Sequence, residues 1–336
     1  MFAVLVLLVA NASLRAGNPE DISGPLADTF YRIAFYNAEN FFDCLHDPGK
    51  NDHDFTPTGI KGWGAAKFTQ KRNRLFKVIA ALDAECPLAA LGMAEVENAR
   101  VLRDLCLGTP LRYLGFDFVH FESRDPRGID VALLYRSDLL RIDTAFACPL
   151  VIPPDTLSRT RDILYVRARP CQGVSLPDPL HLLVSHFPSK YGGVLATDAK
   201  RAAAACLLRR MLDTIHALDS QSFVVSMGDF NTEPDDDLLQ RLDAFPFVNL
   251  MKAGTWPRGK GSHKYRERWG TIDHIYLKQA FLPRLREERA FLFDRDFLLM
   301  PDDKYLGMKP FRTFYGARCL GGYSDHLPVY IDVRKY

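Results

Sequence analysis

The pattern of hydrophobic and polar positions predicts a chain in which strands outnumber helices. Short apolar runs bounded by turn residues are typical of buried strands, whereas apolar residues three and four positions apart indicate a helix with one buried face. The predicted strands cover residues 31–36, 86–93, 129–135, 163–168, 180–186, 223–225, 271–277 and 327–333. Helical spacing is strongest in residues 67–82 and 196–218. Several strands are apolar throughout, which predicts sheets covered by helices on one face and packed together on the other, a layered α/β sandwich.

The N-terminus departs from this pattern. Phe2 to Ala10 is an almost unbroken apolar run of nine residues, too short for a bilayer span of roughly 20 residues. Small residues follow it up to Ala16, which favours a secretory signal in residues 1–16 and an exported protein. A buried strand or a misplaced start is the alternative, and the protein would then be cytoplasmic. Residues 17–29 resemble a leader, and no linker divides residues 30–336, which predicts a single domain. A monomer is also expected.

Composition excludes some classes of function. The 43 basic and 41 acidic residues give a formal net charge of +2, so the chain lacks the strongly basic character of a dedicated nucleic-acid binder. Any contact with a polyanion must then come from a local patch. None of the seven cysteines forms a CxxC pair, and a zinc site is therefore not expected.

Residues 43–63 are crowded with Asp, Asn, His, Gly and Pro. Clustered oxygen ligands suit Ca²⁺, but the spacing is not that of an EF-hand loop. The pattern therefore favours a solvated loop, with a cation site as the alternative.

Polar side chains that suit catalysis or metal binding lie at the ends of several predicted strands. They are Asn37, Glu39, Glu95, His186, Asp229, Asn231, Asp273, Asp325 and His326. If the last two strands run antiparallel to the others, all of them meet at one rim. Carboxylate and amide oxygens suit Mg²⁺ or Mn²⁺, and imidazoles paired with carboxylates suit acid–base work or phosphate binding. The chemistry that fits is metal-assisted attack of water on a phosphate ester.

The motifs that carry these residues resemble those of the endonuclease/exonuclease/phosphatase superfamily, which has the deoxyribonuclease I-like fold. They occur in the family's order: Asn37-Ala-Glu39, Glu95-Val-Glu-Asn, Ser-His186-Phe-Pro, Gly-Asp229-Phe-Asn231, Ile-Asp273-His-Ile and Ser-Asp325-His326. The run 127–136 and the run 269–274 resemble a bacterial secreted-type branch of that family. The resemblance implies a four-layer α/β/β/α sandwich of two packed mixed β-sheets flanked by helices. It also implies divalent-metal-dependent hydrolysis of phosphodiester bonds.

The resemblance further implies which residues serve the metal. Glu95 would be the main Mg²⁺ ligand, with Mn²⁺ or Ca²⁺ as alternatives. Asn37, Glu39 and Asp325 would support the metal directly or through water. Glu39 stands where many relatives have a shorter Asp.

The remaining motif residues would serve the phosphate. By the resemblance, Asp229 would orient or deprotonate the attacking water, and Asn231 would hold a phosphate oxygen. His326 would bind the phosphate, with Asp273 fixing its tautomer. His186 would stabilise the charge that develops on the phosphate.

The substrate is less determined than the chemistry. Basic residues interleaved with aromatics in the run 258–269 suit a phosphate backbone and stacked bases, although a solvated loop fits equally well. The candidate substrate-binding residues are Tyr135, Arg258, Lys260, Lys264 and Trp269. A DNA or RNA nuclease is the first expectation. A sphingolipid, phosphoinositide or small-metabolite phosphodiesterase or phosphatase is the second, and a non-catalytic binding protein the third.

Overall fold

Two six-stranded mixed β-sheets form the centre of the fold. The computed structural model describes residues 29–152, 160–190, 194–240, 242–252 and 260–335. The predicted signal segment, nearly all of the predicted leader and Arg258 lie outside these residues. No helix in the described ranges is long and apolar enough to cross a membrane.

The first sheet has the strand order β13-β18-β1-β2-β4-β3. Its strands are β1 (Phe30–Phe41), β2 (Leu88–Val96), β3 (Phe116–His120), β4 (Asp130–Arg136), β13 (Phe291–Leu292) and β18 (Val329–Arg334). The β1–β2 pair is parallel, and the other pairs are antiparallel.

The second sheet has the strand order β5-β6-β7-β8-β12-β9. Its strands are β5 (Leu140–Cys148), β6 (Ile163–Pro170), β7 (Leu180–His186), β8 (Phe223–Asp229), β9 (Phe247–Asn249) and β12 (Asp273–Lys278). Here the β7–β8 pair is parallel, and the other pairs are antiparallel.

Helices and small hairpins complete the described structure. The α-helices are α1 (Ala65–Glu85), α2 (Ala99–Leu107), α3 (Val194–Leu218) and the single turn α4 (Asp237–Gln240). The hairpins are β10 (His263–Tyr265) with β11 (Arg268–Gly270), β14 (Leu299–Pro301) with β15 (Met308–Pro310), and β16 (Phe314–Tyr315) with β17 (Arg318–Cys319). Short 3-10 helices cover His53–Phe55, Pro110–Tyr113, Gln279–Arg284, Arg286–Glu288 and Asp296–Leu298.

Three apolar layers hold these elements together and confirm the predicted four-layer sandwich. Alternate residues of a strand point to opposite faces, so Ile33 of β1 joins the core between the two sheets while Tyr36 packs under α1 and α2. The third layer lies between the second sheet and α3, where Leu208 packs. Both faces of the central strands are therefore buried, which explains why those strands are apolar throughout.

Some elements differ from the sequence-based expectation. The hydrophobic pattern did not predict β3 and β5, which are edge strands of their sheets and carry exposed positions with no regular alternation. The basic run 258–269, for which a solvated loop fitted as well as a substrate-binding segment, forms the β10–β11 hairpin in its described part. Short strands that the hydrophobic pattern did not predict also lie within residues 291–318. Hairpins this small bury too few apolar residues to leave a periodic signal.

Candidate active site

Three strands of the second sheet deliver polar side chains to one edge. His186 is the last residue of β7, and Asp229 is the last residue of the parallel strand β8, where the two are register partners. Strand β12 runs antiparallel to β8 and begins at Asp273, which pairs with Asp229. The strand directions therefore bring two carboxylates and an imidazole side by side.

The first sheet presents its polar residues at the same edge. Asn37 lies near the end of β1, and Glu95 lies near the end of the parallel strand β2. Strand β18 runs antiparallel to β1, so Asp325 and His326, which precede it, reach this edge as well. The Asn37 Nδ2 atom donates to Asp229 Oδ2 at 3.0 Å and so joins the two sheets directly. The antiparallel arrangement that the sequence argument required is confirmed.

Backbone irregularities aim two of the carboxylates. The β1–β2 register shifts between Asn37 and Phe41, around Glu39, and the β2–β4 register shifts around Glu95. Glu39 (φ 50°) and Glu95 (φ 59°) both adopt the left-handed conformation, as does Asn231 (φ 51°). A bulge re-aims a side chain, and a non-glycine residue held in such a conformation costs on the order of 1–3 kcal/mol. The fold accepts this strain where the polar residues converge.

The edge opens into a cleft of about 880 Å³. Six of the nine predicted catalytic and metal residues line it, and Asn37, Glu39 and Asp273 lie behind them. The lining residues are Glu95, Arg127, His186, Ser189, Lys190, Asp229, Asn231, Glu233, His263, Tyr265, Arg268, Gly270, Ile272, Asp325 and His326. The volume is in the range of ordinary small-molecule sites.

Asp229 lies at the centre of the cluster and is 2% exposed. Its Oδ1 accepts from the Asn231 backbone N–H at 2.9 Å, and its Oδ2 accepts from Asn37. Burial raises the pKa of Asp229 to about 7; the nearby Asp273 adds to this rise, and His326 opposes it. The carboxylate is therefore oriented by two donors and is able to exchange a proton near neutral pH.

His326 and Asp273 form a buried pair. The His326 Nδ1 atom lies 2.8 Å from Asp273 Oδ2, and its Nε2 atom lies 3.9 Å from Asp229 Oδ2. Burial alone would lower the pKa of His326, but the charges of Asp273 and Asp229 outweigh it and raise the pKa well above the usual value. His326 is therefore an imidazolium at neutral pH, with Nδ1–H donated to Asp273.

Two further imidazoles face the cleft in the neutral form. Burial lowers the pKa of His186 well below the usual value, and the cations of Arg161 and Arg127 add to the effect. The His186 Nε2 atom lies 3.6 Å from Asp229 Oδ2. Burial, followed by the charge of His326, lowers the pKa of His263 to about 4.

The acidic side of the cleft is organised around Arg312. Its guanidinium Nη2 donates to Asp325 Oδ2 at 2.9 Å, and its Nε lies 3.5 Å from Glu39 Oε1. The two Glu39 oxygens already accept the backbone N–H groups of Thr313 (2.5 Å) and Phe314 (3.3 Å). Burial, together with Asp325, raises the pKa of Glu39 to about 7. Glu39 therefore anchors the segment 312–314 behind the site.

The donor set at this side fits a hard divalent cation. Mg²⁺ is usually held by one or two protein carboxylates, and water and substrate complete its octahedron. Glu95 and Asp325 are the carboxylates that both line the cleft and keep exposed side-chain area, 15% and 22% respectively. Asn37 has its amide committed to Asp229 and to the Glu39 N–H, so it supports the site from behind.

Most of the predicted substrate-binding residues lie elsewhere. Tyr135 pairs with Ala90 at the end of β4 remote from Glu95, and its hydroxyl contacts Asp117 at 3.4 Å. The Lys260 Nζ atom donates to Asp294 Oδ2 at 2.8 Å. Lys260 is not among the described residues that line the cleft.

The β10–β11 hairpin explains where the predicted substrate-binding residues Lys264 and Trp269 lie. Its residues alternate between two faces, so His263, Tyr265 and Arg268 face the cleft while Lys264 and Trp269 face away. Lys264 donates to the buried Asp302 at 2.9 Å, and Trp269 packs against the core of the first sheet. The expectation that Lys264 and Trp269 line the site is therefore corrected, because alternation along the two strands of the hairpin turns both side chains away from the cleft.

Sequence reasoning missed several residues of the cleft. His263, Tyr265 and Arg268 lie inside the basic run that it singled out, and alternation along a predicted hairpin would have found them. Arg127 opens the run that carried the bacterial resemblance. Nothing in the sequence pattern indicates Lys190.

The fold and the cleft together define a class of protein, the phosphoesterases built on two packed β-sheets with a carboxylate and imidazole centre at one sheet edge. The model of the Endonuclease/Exonuclease/phosphatase family matches residues 32–335, nearly the whole described chain. The chain belongs to this family. No curated protein has a sequence that matches the chain.

Solved structures share the fold at low sequence identity. An endonuclease/exonuclease/phosphatase family protein from Bacteroides thetaiotaomicron aligns over 92% of this chain and 98% of its own, with a TM-score of 0.57 and 15% identity. A mannosyl-6-phosphatase, Bt3783, from the same organism aligns over 90% and 98%, with a TM-score of 0.56 and 15% identity. D. rerio TDP2 complexed with a single-strand DNA product aligns over 90% and 98%, with a TM-score of 0.51 and 15% identity.

Proposed function

We propose that the chain is a divalent-metal-dependent phosphodiesterase that hydrolyses DNA or RNA by attack of water. The observation that carries the proposal is the position of Asp229, which is oriented by two donors, lies beside an imidazolium and faces a cleft that also presents Glu95 and Asp325.

The environment of each side chain in the cleft supports a specific role in hydrolysis. Asp229 accepts the proton of the attacking water, because a base with a pKa of about 7 is partly ionised at neutral pH and is still basic enough to take a proton. The Nε2–H of the His326 imidazolium donates to a phosphate oxygen, and Asp273 holds the ring in that orientation. His186, whose Nε2 atom lies 3.6 Å from Asp229 Oδ2, donates its Nε2–H to the same phosphate.

The metal would be held by Glu95 and Asp325, with Glu39 and Asn37 behind them. When bound, it would polarise a phosphate oxygen and neutralise charge in the transition state. Arg312 keeps Asp325 in place through its 2.9 Å ion pair. The donor set favours Mg²⁺, with Mn²⁺ or Ca²⁺ as alternatives.

A polynucleotide suits the rest of the cleft. Arg127, Lys190 and Arg268 bring positive charge to its walls, although the whole chain carries only +2. Tyr265, 66% exposed on the β10–β11 hairpin, offers a ring on which a base could stack. This arrangement supplies the local basic patch that the weak net charge requires.

The test is a panel of substrates assayed with purified protein and Mg²⁺, each with a chelator control. The panel holds plasmid DNA, single-stranded DNA and RNA, sphingomyelin, a phosphoinositide and a sugar 6-phosphate, because a similar structure is a mannosyl-6-phosphatase. We expect cleavage of polynucleotides that is lost with chelator and in Asp229→Asn. Hydrolysis of lipid or sugar phosphate alone would refute the substrate, and the absence of any metal-dependent hydrolysis would refute the chemistry.

We also propose that the chain is exported, on the strength of the apolar run Phe2 to Ala10 and the small residues that follow it. N-terminal sequencing of protein recovered from fractionated cells tests this. A mature chain that begins at Gly17 outside the cytoplasm is expected, and retention of Met1 in the cytoplasm would contradict it.

A further inference from the structure

One of the groups of side chains that could hold a metal ion lies in the loop after β1, outside the described lining of the cleft. It consists of His46, Asp52 and His53. The Nδ1 atoms of the two imidazoles are 3.1 Å apart, and both face Asp52 Oδ1: His46 Nδ1 contacts it directly, and His53 Nδ1 lies 3.7 Å away. Three donor atoms therefore converge on one point.

Hydrogen bonds alone do not satisfy this arrangement. The Nδ1 atom of an imidazole carries in the ring plane either one hydrogen or one lone pair, so it makes one good hydrogen bond. His46 Nδ1 nevertheless faces both the Asp52 carboxylate and the second imidazole. A cation at the centre would accept a lone pair from all three atoms at once.

The types of donor atom indicate the kind of cation. A tetrahedral ion with bonds of about 2.0–2.1 Å to nitrogen and oxygen keeps its donors roughly 3.3 Å apart. The separations of His53 Nδ1 from His46 Nδ1 (3.1 Å) and from Asp52 Oδ1 (3.7 Å) lie near this value, whereas His46 Nδ1 and Asp52 Oδ1 contact each other directly and would have to separate to bind one ion. Two imidazoles and one carboxylate suit Zn²⁺, whereas Mg²⁺ and Ca²⁺ prefer oxygen ligands alone.

The surroundings hold the donors in place and leave room for water. Asp52 is 1% exposed, and its second oxygen accepts the Asp47 N–H at 2.7 Å, which is the kind of outer contact that orients a metal-binding carboxylate. The adjacent Asn51 N–H donates to Pro126 O at 2.6 Å and fixes the loop to the body of the protein. The imidazoles of His46 and His53 are 38% and 72% exposed, so the fourth position faces solvent.

We propose that His46, Asp52 and His53 form a Zn²⁺ site that is separate from the phosphoesterase centre. The absence of a CxxC pair predicts no zinc site of the cysteine type, and the sequence of this loop favours a solvated loop or a site of oxygen ligands. The site uses nitrogen ligands brought together by the turn between residues 46 and 53. It does not depend on the proposed substrate or mechanism.

The test is calorimetric titration of Zn²⁺ into the full chain, stripped with chelator and then supplied with excess Mg²⁺ for the active site. Wild type is expected to bind one equivalent more than His53→Ala or His46→Ala, because loss of a ligand should weaken that site at least as much as loss of an outer partner does, about 10- to 100-fold. Asp54→Asn is the matched control, because it removes a neighbouring exposed carboxylate that is outside the donor set, and it should bind as wild type does.

His53→Ala carries the test if His46→Ala perturbs folding, because the His53 side chain is mostly exposed. Equal Zn²⁺ stoichiometry in wild type and His53→Ala, or no uptake by wild type, would overturn the proposal. Co²⁺ substitution adds a spectroscopic readout: a tetrahedral absorption band should appear in wild type and in Asp54→Asn but not in His53→Ala.

Discussion

Replacing Asp229 by Asn should remove activity and at the same time stabilise the protein at alkaline pH. In the folded state the pKa of Asp229 rises from 3.8 to about 7, chiefly through burial. The unfolded chain releases this proton near pH 4, so the folded state binds more protons between pH 4 and 7. The stability of the wild type therefore falls as pH rises through this window.

The magnitude follows from the two pKa values. At 1.36 kcal/mol for each tenfold change in proton affinity, ionised Asp229 costs the folded state on the order of 4 kcal/mol above pH 7. At pH 5 the same cost is less than half as large. An Asn side chain carries no charge but has one carbonyl oxygen, so either Asn37 Nδ2 or Asn231 N–H loses its acceptor, at about 1–2 kcal/mol. The net expectation is a gain of about 2–3 kcal/mol at pH 8 and a change close to zero at pH 5.

The assay is urea unfolding of wild type and Asp229→Asn at pH 5 and pH 8, with chelator present so that no metal screens the carboxylate. Turnover is measured in parallel with Mg²⁺, where loss of a general base should lower kcat by about 100- to 10,000-fold. Equal destabilisation of the variant at both pH values would refute the raised pKa. Retention of wild-type kcat would refute the role of Asp229 as base.

Four further predictions address the binding and metal residues. Arg268→Ala should raise KM for DNA and reduce the slope of log affinity against log salt by about 1, measured by binding at several salt concentrations. Lys264→Ala should leave that slope unchanged but lower the free energy of unfolding by up to about 3 kcal/mol, because it deprives buried Asp302 of its nearest cation. His263→Phe should lower kcat about 10-fold or more by removing a neutral donor from the cleft, yet leave the pH–rate profile above pH 5 unmoved, since the pKa of His263 is about 4; a shifted profile would contradict this. Glu95→Gln should abolish the rise in melting temperature that Mg²⁺ produces in wild type, and an undiminished rise would show that Glu95 is not a ligand.

The order and chemistry of the site residues were accessible from the sequence because they lie where apolar strands end. A run such as residues 223–229 predicts both a buried strand and the polar residue at its C-terminal end. The same runs predicted the four-layer fold, since strands buried on both faces need helices outside and a second sheet inside. The family resemblance, now confirmed over residues 32–335, rests on those strand ends.

The substrate side was accessible only in part. The basic run before β12 was recognised, but which of its side chains enter the cleft depends on a three-residue strand with no apolar period. The sequence pattern therefore predicts Lys264 and Trp269 as substrate-binding residues, whereas their neighbours His263 and Arg268 face the cleft.

The sequence by itself determined where the strands end and which polar residues lie there, because strand periodicity and turn chemistry depend on a few neighbouring residues. Tertiary structure alone decided what those residues become. The bulges that aim Glu39 and Glu95, the burial that raises the pKa of Asp229, and the pairing of His326 with Asp273 all depend on contacts between segments far apart in the chain. Electrostatic environment is set by such distant neighbours, and no window of sequence contains them.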